Sequence, residues 1–486
     1  MTQQTPVLVG ISHLEQRFTD FESAKEPVQL MIDAVNQAAE DAGSKVLLNA
    51  GSVRVIRGIW PYEDPARAVA QAIGSPNAET ALTAFGGNFV QTALNQSALD
   101  IQAGLHDVII LTGAECGNTQ AKAAKAGQDL GWAELPGTPD RLIGAEKDMR
   151  HDAEIAIRLG RPIQIYPIME TALRHASGLS VDAHLEHISK LWAGFSDVAA
   201  ANPNAWIREA KSAEEIRTIS PMNRPVSFPY PKLMNSNNNV DQAAALILVS
   251  EEKAKALGIS RDKWIYPWAG TDAQDHYYFS NRDNFHSSPA IRFAGGKCLE
   301  LTGSTPDDID MIDVYSCFPV AVQIACRELG FDMNRPLTVT GGLTFAGGPL
   351  NNYVMHSIAR MAQLLRENPG KRGMITANGG YITKHAFGIY SSEPPAQPFQ
   401  HADLQDQVDA ELKRDVVIEH QGTGTVEGYS VMYGPEGVTK AFVAARLADG
   451  QRAWGTSEDV DLLQSMTEEE FCGRSVNLVA NHEATF

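Results

Sequence analysis

The chain has 486 residues, 43% of them hydrophobic and 20% charged, a make-up that suits a globular protein with more than one core. Its formal net charge of −19 argues against non-specific binding to nucleic acid, which depends on cationic contacts to phosphate. An anionic nucleotide ligand would therefore need local lysines or arginines of its own.

Five cysteines are present, Cys116, Cys298, Cys317, Cys326 and Cys472. They form no C-x-x-C pair and no cluster with histidine, so neither a zinc site nor a disulfide framework is expected. The start, Met1 to Pro6, lacks the basic and apolar stretches of a signal peptide. No uninterrupted apolar segment approaches the roughly 18 residues of a membrane span. A cytoplasmic protein with no membrane, nucleic-acid or metal partner is the expectation.

In chain order, short β-rich runs alternate with helical patterns, the signature of α/β layering. Val7 to Ile11 reads as the first strand. Pro27 to Ala42 reads as a helix with Val28, Ile32, Val35 and Ala39 on one face. Asn88 to Ala103 is a second helix entered through Phe85-Gly86-Gly87, and Asp107 to Gly113 a buried strand. From 117 to 227 the pattern loosens into helices and polar connections, as in an insertion outside the sheets. Asp241 to Ser250 restores a strand. A second α/β half follows, with strands at Ile309 to Tyr315 and Gly373 to Ala377 and helices at Pro319 to Leu329 and Asn352 to Asn368. The Pro-rich stretch Pro394-Pro395-Ala396-Gln397-Pro398 ends this part. Beyond it, Val416 to His420, Gly424 to Tyr433 and Ala441 to Leu447 read as short strands of a small β-barrel module.

Five segments carry the chemistry: Ala84-Phe85-Gly86-Gly87-Asn88, Met234-Asn235-Ser236-Asn237-Asn238-Asn239-Val240-Asp241, Tyr315-Ser316-Cys317-Phe318, Gly341-Gly342-Leu343-Thr344-Phe345-Ala346-Gly347-Gly348-Pro349, and Thr376-Ala377-Asn378-Gly379-Gly380-Tyr381. Together they resemble the landmark loops of the thiolase superfamily, nearest to its sterol-carrier-protein type. With the added tail, the chain resembles the type 1 thiolase-like proteins. The resemblance implies duplicated βαβαβαββ halves in an α/β/α/β/α arrangement, plus a small C-terminal OB-like β-barrel. It divides the chain into residues 1–116 with 228–262 as one half, 117–227 as the loop insertion, 263–392 as the other half, 393–400 as a linker and 401–486 as the added β-rich domain. It also implies acyl-CoA as a passing substrate or ligand rather than a permanent cofactor.

The reactive positions of that family are replaced. Its nucleophilic cysteine falls at Gly86 or Gly87, where a helix N-terminus still offers N–H groups to an oxyanion or thioester oxygen. Tyr315 stands where the family has Asn or His; a phenol donates a hydrogen bond or, with a lowered pKa, acts as a base. Gly348 stands where the family has histidine, and Tyr353 follows it closely. A tyrosine in each of these two regions is similar to the thiolase-like retro-aldolases of steroid side-chain breakdown. Thr376 takes the place of the acid/base cysteine and Asn378 that of the next glycine, while Lys384 and His385 follow close by. Asn235 and Asn237 align with the segment that hydrogen-bonds pantetheine amides. Cys317 and Cys116 read as inert thiols. No phosphate-binding G-x-x-x-x-G-K-[ST] or dinucleotide G-x-G-x-x-G fingerprint competes.

Three readings follow. In the first, Tyr315 with Tyr353 exchanges the proton of a β-hydroxyl in aldol or retro-aldol chemistry on an acyl-CoA. In it Gly86, Gly87, Asn88, Asn378 and Gly379 stabilise the thioester enolate, and Asn235, Asn237 and His385 bind substrate. The second is a non-catalytic acyl-CoA- or lipid-binding homologue, with the tail as a surface for a protein partner. The third is an acyltransferase with an unrecognised nucleophile. Monomer and homodimer both stay open.

Overall fold

The computed structural model describes residues 4–18 and 20–486. The first sheet is built from β1 (Pro6–Glu15), β2 (Ser52–Val55), β3 (Glu79–Thr83), β4 (Val108–Cys116) and β5 (Arg141–Ile143), joined later by β8 (Asp241–Ser250). Between these last two come the short strands β6 (Pro225–Phe228) and β7 (Tyr230–Pro231). The order is β1-β8-β4-β2-β3-β5. The strands β2 to β5 run parallel, while β8 pairs antiparallel with both β1 and β4. Every residue of β4 and β8 is buried, which explains the apolar runs Val108–Leu111 and Ala243–Val249 within them: strands covered on two faces need no polar side.

The second sheet contains β9 (Tyr266–Gln274), β10 (Met311–Asp313), β11 (Arg372–Gly379), β12 (Lys384–Ser391) and β13 (Gln400–Asp403), in the order β10-β11-β12-β9-β13. Two helices lie between the sheets. The Phe89–Gln102 helix turns Gln91 and Asn95 towards Gly388 and Gly270 of the second sheet, where the absence of a Cβ makes room for them. The Tyr353–Glu367 helix sets Met361 against Gly373 of β11. Outside, the Pro27–Asp41 helix packs its Val28, Met31 and Val35 on the far face of the first sheet. On the other side the Pro319–Leu329 helix and the π-turn Ile291–Gly295 cover the second sheet. The result is the expected five-layered α/β/α/β/α arrangement.

The tail forms a third, antiparallel sheet from β14 (Gly422–Gly434), β15 (Gly437–Arg446), β16 (Arg452–Ser457), β17 (Ser475–Leu478) and β18 (Ala484–Thr485), in the order β16-β15-β14-β17-β18. It has its own core around Tyr429, Val443, Leu463 and Val476. The two ends come together where Gly455 packs against Ala484 and Leu478, and among the described residues a single bridge, Thr456 to Glu483, links them, so no continuous hydrogen-bonded ladder closes the sheet.

Several boundaries differ from the sequence reading. Arg141–Ile143 lies inside the presumed insertion, yet it pairs with β3 as an edge strand of the first sheet. The segment is too short, and too isolated between polar loops, to show a strand pattern. Strand β6, also read with the insertion, pairs with β14 of the tail and lends Phe228 to its core. Gln400–Asp403 belongs to the second sheet, beside β9, so the tail starts after it. Val416 to His420 is no strand and makes a single bridge to Arg452.

Candidate functional site

The quoted segments meet at one place, where the strand ends of the second sheet face the N-terminus of the Phe89–Gln102 helix. A Cβ built on Gly87 would lie 2.7 Å from the Tyr315 hydroxyl and 2.6 Å from the Asn378 carbonyl oxygen. The phenol therefore takes the space a side chain at 87 would need, and any larger residue there must displace it. Asn378 donates from Nδ2 to the Tyr166 hydroxyl at 3.2 Å and lies 3.8 Å from Cys317 Sγ. Tyr315 is fixed in turn by its N–H, which Thr376 Oγ1 accepts at 2.9 Å.

The asparagine-rich loop joins this centre through the Ser236 hydroxyl and its backbone. Ser236 donates to the Cys317 carbonyl at 3.1 Å, Asn237 N–H to Leu343 at 3.0 Å, and Gly348 N–H to Asn237 at 2.9 Å. A side chain at Gly348 would meet Asn238 Oδ1 at 3.2 Å and the Leu343 carbonyl at 3.3 Å. The loop of Gly348 is thus packed for a residue without one.

Tyr315, Thr376, Asn378 and His385 line one small cavity, closed by Ile291, Ile382 and Phe387, with room for about one water molecule. Of its lining residues, Asn378 has its Oδ1 and His385 its Nε2 buried without a hydrogen-bond partner, His385 Nε2 being 3.7 Å from Asp275 Oδ2; Asn88 Oδ1, next to Gly86 and Gly379, is likewise unpartnered. Native interiors rarely leave such groups unmade. Backbone N–H groups of Gly87 and Asn88 likewise donate to nothing among the described residues. Gly379 packs against the same turn, 3.3 Å from Gly87 N as measured from a Cβ built on it.

Burial sets the protonation states. It pushes the Tyr315 phenol well above the ordinary tyrosine value, with Cys317 adding in the same direction. It pulls His385 down to about 4, against the opposing pull of Asp275, whose Oδ2 is 3.7 Å from Nε2. At neutral pH the pocket therefore holds a protonated phenol and an uncharged imidazole. Of the two roles open to Tyr315, hydrogen-bond donor or base with a lowered pKa, burial favours the donor, since its pKa is raised.

Tyr353 is beside Tyr315, their rings edge to face with centroids 5.5 Å apart. Its hydroxyl, however, is committed to Asp313 at 2.9 Å and Thr340 at 2.7 Å and is fully buried. Asp313 needs these donors because it is a carboxylate without access to water. Tyr353 thus braces Tyr315 from behind and does not share its cavity. The two asparagines offered for pantetheine are also turned to internal work. Asn235 Nδ2 donates to the Pro231 carbonyl at 2.8 Å, leaving only its buried Oδ1 open, and Asn237 Oδ1 caps Asn239 N–H at 3.2 Å.

Tyr166 is the residue that sequence reasoning missed. It comes from the Pro162–Ala176 helix, stacks on Phe318 at 4.4 Å, and donates to the Gly380 carbonyl at 3.0 Å while accepting from Asn378 and Ile382. A tyrosine on an amphipathic helix carries no motif, so no local signal marked it. All five cysteines are buried, and burial pushes Cys298, Cys317 and Cys326 up to about 12. Among the described residues no group of three or more His, Cys, Asp or Glu could hold a metal ion, and no helix is long and apolar enough to cross a membrane.

Comparison with known proteins agrees with this layout. The family described as the thiolase-like protein type 1 additional C-terminal domain matches residues 403–483. The crystal structure of a monomeric SCP2-thiolase like protein type 1 from Mycobacterium smegmatis superposes with a TM-score of 0.84 at 30% identity, covering 99% of each chain. The acetyl-CoA acetyltransferase of Methanocaldococcus jannaschii is 26% identical over 239 residues, 49% of this chain and 54% of that enzyme. The match thus spans about half the length of that curated relative. The Ltp2-ChsH2(DUF35) aldolase shares the fold at 18% identity, with a TM-score of 0.63 over 81% of this chain and 99% of that one.

Proposed function

The chain belongs to the thiolase superfamily, as an SCP2-thiolase-like protein of type 1, and we propose that it acts on an acyl-CoA thioester by aldol-type C–C chemistry without a covalent acyl-enzyme. The observation that carries this reading is the Tyr315 hydroxyl in the space denied to a side chain at Gly87. A nucleophile has no place there, and a proton donor does. In the cleaving direction the β-hydroxyl gives up its proton, the C2–C3 bond breaks, and its electron pair moves to the thioester as an enolate. C2 then takes a proton, which completes the balance. The N–H groups of Gly87 and Asn88 suit the enolate oxygen. Tyr315, held protonated by burial, suits delivery of a proton. His385, held uncharged by burial, lines the same cavity and suits acceptance of a proton.

The shared fold of the aldolase and the acetyl-CoA acetyltransferase names are consistent with a thioester substrate; the residue-level support is this chain's own. A non-catalytic acyl-CoA-binding role is the second reading, favoured by one feature: the cavity at Tyr315 is nearly filled. Acyl transfer has least support, because all five cysteines are buried.

A mass-spectrometric turnover screen against acyl-CoAs separates these readings. Cleavage of a 3-hydroxyacyl-CoA without added CoA, lost on Tyr315→Phe by about 10²-fold or more, is the expected result. Cleavage of a 3-ketoacyl-CoA only with free CoA would instead mean thiolysis. Binding of acyl-CoA without turnover across the panel would favour the non-catalytic role.

A further inference from the structure

His385 has a charged neighbour that the chemistry above does not use. Asp275 Oδ2 lies 3.7 Å from His385 Nε2, and both side chains are almost wholly buried. The contact comes from the sheet itself: Asp275 directly follows β9, whose Gln274 and Ala273 pair with Lys384 and His385 of β12. Three bonds fix the residue. The Asp275 N–H donates to the Thr383 carbonyl at 2.8 Å, Ser288 Oγ donates to Oδ2 at 2.5 Å, and the Ala290 N–H donates to Oδ1 at 3.0 Å. Ser288 Oγ also accepts the Ile291 N–H at 3.2 Å, and Ile291 is in the wall of the Tyr315 cavity. The carboxylate is thus anchored to the turn that closes that cavity, with Oδ2 near the imidazole.

A buried carboxylate beside an uncharged ring needs a countercharge. Arg282 is the cation at hand, and Asp275 is the first of the acidic groups whose charge reaches it. Yet Arg282 is loosely held. It is 5% exposed, donates to Thr383 Oγ1 at 3.0 Å, leaves Nε without a partner, and makes no ion pair among the described residues. The other three buried arginines behave differently: Arg54 is paired with Asp100, Arg174 with Glu470 at 2.9 Å and Arg452 with Glu427 at 2.7 Å. Asp275 and Arg282 line a second cavity, of about 130 Å³, which has exposed Leu412 in its wall, while His385 lines the first. Aspartate and histidine therefore form part of the partition between the two. With no Lys or Arg in ion-pair contact among the described residues, Asp275 keeps its charge available to the ring.

We propose that Asp275 is the positioning residue of His385: it fixes the imidazole in the cavity wall and supplies the countercharge when the ring takes the substrate proton. In that step the proton leaves the β-hydroxyl oxygen for the ring. Imidazolium carries N–H on both nitrogens, so an Nε2–H is presented to Asp275 whichever atom received the proton. Arg282 balances the same carboxylate while the ring is neutral. Of the groups facing the ring, Asp275 and the carbonyls of Ile382 and Ala377 favour its charged form, and burial and Arg282 oppose it. Asp275 is the charged member of the favouring set, and a carboxylate at this range is worth on the order of one to three pH units to a partner's titration. The proposal rests on the thioester reading for the source of the proton, and not for the pairing itself.

Nitrogen NMR of the isotope-labelled full chain tests the pairing without substrate, the His385 signals being identified by their loss in His385→Asn. Asp275→Asn is expected to lower the pH at which His385 titrates and Arg282→Met to raise it, each by about one unit or more. Where Asp275→Asn fails to fold by circular dichroism, Ser288→Ala loosens the carboxylate instead and should give a smaller shift in the same direction. Turnover supplies the second readout. On a 3-hydroxyacyl-CoA, Asp275→Asn should lower kcat about tenfold or more with KM little changed, and Arg282→Met should move the acid limb of kcat to higher pH. An unmoved His385 titration in the folded Asp275 or Ser288 variant overturns the proposal. So does an unchanged kcat and pH profile in Asp275→Asn. Absence of turnover in the unaltered protein would fell the thioester reading instead, and the NMR titration would still decide whether Asp275 governs His385.

Discussion

One helix, Pro162–Ala176, joins two buried polar regions built to opposite rules. Near its start the Tyr166 hydroxyl accepts from Asn378 of the Tyr315 pocket; there Asn378 Oδ1 and His385 Nε2, and nearby Asn88 Oδ1, have no hydrogen-bond partners. About 12 Å along the axis, Arg174 enters the junction with the C-terminal sheet, where the charges are matched. It donates to Glu470 at 2.9 and 3.1 Å and to the Tyr429 hydroxyl at 2.8 Å. Nearby, fully buried Arg452 donates to Glu427 at 2.7 Å and to the carbonyls of Ser280 and Arg282 at 2.6 Å each. Between the two regions Glu170, wholly buried, accepts from Tyr230, from Gln323 at 2.8 Å and from His184 at 2.6 Å. A buried charge is tolerated when its bonds are made. The charges of Arg174, Arg452 and Glu170 have their bonds made; the Tyr315 pocket holds neutral groups instead, some of them without a partner among the described residues.

The sharpest way to break this contrast is to unmatch the junction. Arg452→Met is expected to lower stability by about 3–5 kcal/mol, because Glu427 and two carbonyls lose their buried donor. Denaturant unfolding measures it, and a loss under 1 kcal/mol would show that the junction is not held by these bonds.

Acid should strain the pocket before the junction. An ordinary histidine titrates near 6.5, whereas His385 is pulled down to about 4 by burial. Between those values the unfolded chain carries a proton on this imidazole and the folded chain does not. Stability therefore rises with pH across the window and is lost as pH falls from about 6.5 to about 4, by on the order of 3 kcal/mol for this residue. Glu470 behaves otherwise: its pKa is held below the ordinary carboxylate value by Arg174, against the opposing effect of burial. Its contribution is present above the unfolded carboxylate value and is lost only as pH falls through its folded one. His385→Asn should thus reduce the loss between about pH 6.5 and 4 by its own share, leaving that of buried His13 and His356, and leave the steeper acid limb in place; unfolding midpoints across that range read both.

The smallest effect compares the two tyrosines. Tyr353→Phe deprives Asp313 and Thr340 of a bond and is expected to cost about 1–3 kcal/mol. Tyr315→Phe removes a hydroxyl with no partner among the described residues and should cost less than about 1 kcal/mol while carrying the larger loss of turnover. A reversed order of stabilities would mean that Tyr315 is the brace and Tyr353 the working group.

Much of this was legible in the chain. Asp241–Ser250 and Pro319–Leu329 match their sequence limits, because a fully apolar run and a helix closed by Gly330 leave little choice. The segments around Gly87, Tyr315, Gly348 and Asn378 were each recognisable. Arg141–Ile143 and Gln400–Asp403 were not, since a short edge strand is defined by its neighbour's free hydrogen bonds and not by its own pattern. Tyr166 was invisible for the same kind of reason: by its own pattern it is an ordinary helix residue.

By itself the sequence determined the layered α/β class, the extra β-rich tail, and the loss of side chains at Gly87 and Gly348, because periodicity and glycine are local properties. Only the tertiary structure decided that Tyr315 fills the space at Gly87, that Tyr353 faces Asp313 instead, and that Asn235 and Asn237 serve their own loop. It also set the protonation of the pocket. Where a hydroxyl points, and whether a charge survives, depends on burial and on partners hundreds of residues away, and neither is written in any one stretch of chain.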